Sequence, residues 1–126
     1  MRNRAILCVE EKVIEAGKYN ADPVLERIHL NKIAKIGVAA FKDCESLKEV
    51  VLDEVTSLVI DYGAFDNCQN LQDVHFILYG DHPVVEISED AFRNIHHPIT
   101  FHIPQFGNRN LEEFAKKHHF RIKKFL

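Results

Sequence analysis

Ala40-Phe41-Lys42-Asp43-Cys44 returns as Ala64-Phe65-Asp66-Asn67-Cys68 and again as Ala91-Phe92-Arg93-Asn94-Ile95. No other feature restricts the fold of this chain so tightly. The phenylalanines stand 24 and then 27 residues apart, and five residues before each stands an isoleucine: Ile36, Ile60 and Ile87. The same offset finds Ile14 before Tyr19. Four coils therefore share one phase, and periods of this length mean stacked supersecondary units.

A second block recurs in register with the first. Leu25-Glu26-Arg27-Ile28-His29-Leu30 matches Leu47-Lys48-Glu49-Val50-Val51-Leu52 and Leu71-Gln72-Asp73-Val74-His75-Phe76. Pro98-Ile99-Thr100-Phe101-His102-Ile103 follows, and Ile6-Leu7-Cys8 reads as a worn copy. Alternate residues of a strand face the same way, so the last apolar pair of each block points into a core together. Each coil thus reads as a strand, a turn, a second short strand ending at the isoleucine, and a tight turn carrying Ala-Phe-x-x-Cys. One coil cannot bury its own apolar edge, so neighbours stack to complete the core. The third coil is longer, and its extra residues fall near Tyr79-Gly80-Asp81-His82-Pro83, where Gly and Pro suit a bulging loop.

The run Leu58-Val59-Ile60-Asp61-Tyr62-Gly63-Ala64-Phe65-Asp66-Asn67-Cys68 resembles the signature of the BspA-like leucine-rich repeats. The resemblance covers about residues 25 to 126 and, more weakly, 4 to 24. Ile95 and Asp22 depart from the cysteine of the pattern, and the proline after the strand is present only as Pro104. The resemblance implies a leucine-rich-repeat solenoid, mainly β with short helical turns, and a role in adhesion or protein–protein contact. The expected organisation is one domain over 1–126: a degenerate N-terminal coil (1–24), regular repeats (25–104) and a C-terminal cap (105–126). In that cap, Asn110 and Glu113 have the spacing of a capping box, with Leu111, Phe114 and Ala115 as an apolar helical stripe through about His119. Phe120-Arg121-Ile122 alternates like a last strand.

A chain of 126 residues with a formal charge of −3 carries no general field to gather nucleic acid or membrane. The apolar stretch Ala5 to Val9 is too short for a signal-peptide core or a membrane span. As written the chain reads as cytoplasmic; a cell-surface or secreted setting fits if it was trimmed or cut from a longer protein.

Three side-chain groups invite a chemical reading. Cys44 and Cys68 stack one coil apart, about 5 Å on ladder spacing, within reach of a disulfide or a shared metal. Ile95 in the same column favours an apolar filler instead. Cys8, placed in the leucine column of Leu30 and Leu52, reads as core too. His29, His75 and His102 share one outward column with Val51, but zinc wants three or four ligands and no carboxylate or thiol column is evidently aligned with them, so a polar ladder is expected in place of zinc. Lys116, Lys117, Arg121, Lys123 and Lys124 read as the solvated face of the cap. Scattered carboxylates such as Glu49, Asp53 and Asp73 fall on exposed positions. The chain carries no G-x-S-x-G, P-loop, G-x-G-x-x-G, C-x-x-C or H-E-x-x-H.

The resulting expectation is a non-catalytic binding or adhesion module without cofactor or metal. Its unknown protein partner would contact His29, Val51, His75 and His102, flanked by Asn31, Asp53 and Ile77. No nucleic acid or membrane insertion is expected. The alternative is a structural protein that self-assembles through an open coil end, giving a monomer or weak homo-oligomer.

Overall fold

A computed structural model describes residues 5–126, so the first four residues of the expected degenerate coil lie outside it. Among the described residues ten strands and one helix follow in order: β1 (Ile6–Val9), β2 (Val13–Ile14), β3 (Arg27–Asn31), β4 (Lys35–Ile36) and β5 (Glu49–Val55). Then come β6 (Ser57–Ile60), β7 (Asp73–Leu78), β8 (Val84–Ile87), β9 (Thr100–Pro104), α1 (Arg109–Lys117) and β10 (Arg121–Phe125). The strands alternate between two parallel sheets, a six-stranded one in the order β1-β3-β5-β7-β9-β10 and a four-stranded one in the order β2-β4-β6-β8. This is a leucine-rich-repeat solenoid of stacked coils, as the repeat predicts.

The apolar columns fill the space between the sheets. Ile28, Val50, Val74 and Phe101 occupy one rung position and Leu30, Leu52, Phe76 and Ile103 another; all eight are fully buried. From the second sheet Ile14, Ile36 and Ile60 come in equally buried, while Ile87 stays partly open. Each such side chain removed from water contributes about 1.5–3 kcal/mol, and none could be covered without its neighbouring coil.

The tight turn explains the Ala-Phe-x-x-Cys motif. The backbone enters the left-handed region two residues before the ring, at Gly17 (φ 67), Ala39 (φ 55) and Gly63 (φ 63). It does so again two residues after, at Ala21 (φ 60) and at Asp43, Asn67 and Asn94 (each φ 62). Asn and Asp tolerate this conformation because their short side chains bond locally. The turns are laced together: the amides of Tyr19, Phe41 and Phe65 donate to the carbonyls of Ala40, Ala64 and Ala91, each at 2.8 Å. The rings Tyr19, Phe41, Phe65 and Phe92 lie in one stack, with centroids 5.2 to 5.4 Å apart and planes within 8°.

Two local expectations need correction. The helix begins two residues earlier than the capping box at Asn110 suggests. Asn108 is the N-cap, its side chain accepting from the Leu111 amide, and Glu112 accepts from the Asn108 amide. Asn110 is spent on β8 instead, its amide group donating to the carbonyl of Val85, while the amide group of Asn108 also donates to the carbonyl of Pro83 just before that strand. The helix closes at Lys117, and His119 turns into the left-handed region. The second correction is Cys8. Its partner is His29, with Val9 opposite Leu30, so the worn first copy runs one residue out of step and Cys8 is exposed. A slip of one residue moves a side chain to the opposite face of a sheet.

Candidate binding face

The outward side of the six-stranded sheet collects the polar positions of the repeat. Parallel pairing puts Cys8, His29, Val51, His75, His102 and Lys123 in one column, one residue per strand. Asn31 and Asp53 pair directly in the column beside it. There the ladder bulges: Leu52 pairs with Phe76 and Val55 with Leu78, so Asp53 and Glu54 together face Ile77. Glu54 absorbs the extra residue with φ 51. A concavity of about 430 Å³ lies at this end of the face, lined by Cys8, Val9, Glu10, His29, Asn31, Asp53 and Glu54.

Each histidine leans on a carboxylate of another coil. The ring of His102 donates from Nε2 to Asp73 Oδ1 at 2.8 Å, and that of His29 to Asp53 Oδ2 at 3.1 Å. A carboxylate can only accept, which assigns the proton to Nε2 in both rings. Nε2 of His75 is 2.8 Å from Glu49 Oε2, but its N–H is not directed at the oxygen, and the buried nitrogen makes no hydrogen bond. Glu49 itself meets Arg27 at 3.2 Å. The rings of His75 and His102 stack at 4.1 Å, 11° from parallel. Burial above all, then the neighbouring His102, lowers the pKa of His75 below the usual histidine value, against the pull of Glu49.

The expected outward column is therefore present as a geometric array, with two differences. Val51 is only 7% exposed, because the larger rings of His29 and His75 rise on either side of it. Its surface is a floor between histidines. The other difference is the acidic column. Glu49 and Asp73 are paired neighbours two residues before Val51 and His75, which puts them on the same face as the histidines. That spacing stands in the sequence, and pairing across coils is what makes it effective. Even so, among the described residues no three His, Cys, Asp or Glu side chains converge as metal ligands.

The other groups singled out by the sequence are structural or dispersed. Cys44 and Cys68 are free and buried, their thiols donating to the carbonyls of Tyr19 (3.2 Å) and Phe41 (3.1 Å). Burial pushes Cys44 up to about 11 and Cys68 further in the same direction. Asp22, in the cysteine place of the first coil, accepts from the amides of Val24 and Leu25. In the cap, Lys117 reaches Glu89 at 3.0 Å and Lys124 reaches Glu112 at 3.4 Å. His118 stacks on Phe114 at 4.1 Å and meets Glu89 at 3.2 Å. His97 bonds the Gln69 carbonyl at 2.8 Å, while His96 and His119 are exposed. Tyr79, at the root of the long loop, is 67% exposed. Among the described residues no helix is long and apolar enough to cross a membrane.

Compared with known proteins, the sequence matches the model of the BspA type leucine rich repeat region in six copies over residues 12–125. No curated protein and no solved structure gave a significant match.

Proposed function

The chain belongs to the BspA-type leucine-rich-repeat family, and from that premise we propose that it is a non-catalytic module that binds a partner protein through the outward face of its six-stranded sheet. The observation that carries the reading is the column itself. His29, Val51, His75 and His102 fall on consecutive strands, so rings and carboxylates recur at the strand spacing of about 4.8 Å. The alternate residues of the same strands are committed to the core. Asn31, Asp53 and Ile77 extend the face sideways. A rigid array of half-exposed rings presents contact area at little entropic cost, because its side chains are already held by neighbours.

The test places a photo-reactive residue at Ile77 on this face, and another at Val59, which is 38% exposed on the opposite sheet. Capture of a partner from Ile77 and not from Val59, weakened by the triple change His29→Ser, His75→Ser and His102→Ser, is the expected result. Equal capture from Val59, or a triple variant that binds undiminished, would move the site elsewhere, first to the loop around Tyr79.

A further inference from the structure

The charges on the outward face are not evenly spent. On β5 and β7 the carboxylates are engaged: Glu49 by Arg27 and His75, Asp53 by His29, Asp73 by His102. On β10 the balance reverses. Arg121 pairs in register with Thr100 and Lys123 with His102, so both cations stand on the outward face beside the last histidine. Both are exposed, and among the described residues neither has an ion-pair partner. Lys124 alternates to the other side, where Glu112 of α1 neutralises it.

We infer that Arg121 and Lys123, with His102 beside them, receive two acidic side chains spaced i, i+2 on an extended segment of the partner protein. This rests on the reading of the outward face as the binding surface and supplies its chemistry. The spacing argument is geometric. Arg121 and Lys123 are alternate residues of one strand, about 6.5–7 Å apart, and an extended peptide repeats its own alternate side chains at the same interval. The guanidinium takes a carboxylate in two-pronged fashion, and the ammonium takes the next as a point charge. A continuous polyanion fits less well. Asp73, Glu49 and Asp53 stand on neighbouring rungs and would repel phosphates running across the sheet. Phe125, the nearest ring on β10, is half-buried and offers no open platform for a base.

The experiment titrates the 15N-labelled 126-residue chain with the capped peptide Glu-Thr-Glu-Thr-Glu-Thr at low ionic strength, following backbone amides. Shifts confined to β9 and β10 are expected. The double change Arg121→Ser and Lys123→Ser should weaken binding at least tenfold with the fold intact by circular dichroism, since neither side chain holds anything in place. Arg121→Glu with Lys123→Glu should transfer the preference to the matching Lys-Thr peptide. The idea is overturned by an unaffected double variant, by no binding at all, by equal binding of the isomer Glu-Glu-Thr-Thr-Glu-Thr, which holds no i, i+2 acidic pair, or by tighter binding of oligothymidylate to the same amides. Should the peptide fail while the triple histidine variant still loses its natural partner, the face stands and only its acidic specificity falls. Should the peptide bind as expected while the triple variant keeps its partner, the basic end stands as a site apart from the histidines.

Discussion

Two columns of stacked rings run along this solenoid, one inside and one outside, and they answer to different constraints. Inside, Tyr19, Phe41, Phe65 and Phe92 continue through four coils without interruption. Outside, only His75 and His102 touch, and Val51 breaks the column before His29. The same translation from coil to coil stacks both. In the interior the turn, its backbone ladder and the void between sheets accept little besides a large planar ring, so the residue is repeated. On the surface the coil tolerates valine as readily as histidine. The repeat therefore does not require the histidines, which leaves them free to serve recognition.

The cysteines put this contrast in its sharpest form, because Cys8 heads the outer column and Cys44 and Cys68 lie beside the inner one. All three should titrate as free thiols in denaturant without reductant. In the native protein Cys8 should react with a disulfide reagent at pH 8 about a thousandfold or more faster than the other two. Burial raises both their pKa values, and reaching them requires an opening on the order of 4 kcal/mol. Comparable rates for all three would erase the distinction between the columns, and a count of one thiol would mean a disulfide exists.

Removing one inner ring should cost the most stability. Phe65→Ala deletes a fully buried ring held between Phe41 and Phe92, and a loss of about 3–5 kcal/mol in urea unfolding is expected. A loss under 1 kcal/mol would mean that the coils collapse around the gap and that the stack is not a requirement. A smaller effect belongs to the turn that seats the ring. Asn67 holds φ 62 and donates to Asp43 at 2.9 Å. Asn67→Ala should cost about 1–2 kcal/mol. Asn67→Gly should recover the backbone part of that loss, and an equal loss in both variants would assign it to the side chain alone.

The inner column was legible in the sequence because burial repeats an identity: isoleucine, alanine, phenylalanine and cysteine return at fixed offsets. The outer column was legible only as a position. Its direction followed from strand alternation, but its contacts depend on pairing across coils. Nothing in the run Glu49-Val50-Val51 announces that Glu49 will sit 2.8 Å from the ring of His75. Cys8 lies outside the core because the first copy lacks the leucine that leads three of the other copies by three residues and fixes their register, and with a period of two a single step exchanges core for surface. Asn110 competes with Asn108 for the cap in the sequence because it offers the same side chain at a plausible spacing. What decided between them was where the backbone turns.

The smallest expected effect tests the outer column alone. His75 faces His102 and Glu49, with Asp73 nearby, and its pKa in the folded chain is below the ordinary value. A pH unit or more above 6.5 the ring is essentially neutral whether the chain is folded or not, so it contributes little pH dependence there. Below that value the unfolded chain takes up the proton first and holds more of it, so folding stability falls as pH falls towards the folded-state pKa. At pH 7.5, His75→Gln should therefore differ from the parent by about 0.5 kcal/mol or less in urea unfolding. At pH 5.5 the parent should have lost more of its stability than the variant. His102→Gln should reduce the loss without abolishing it, since burial, the larger cause, remains. Parallel decline of parent and His75→Gln would remove His75 as the source. A steep loss shared with Phe65→Ala in proportion to its stability would place the acid sensitivity in the core, and the two columns would no longer be separable by pH.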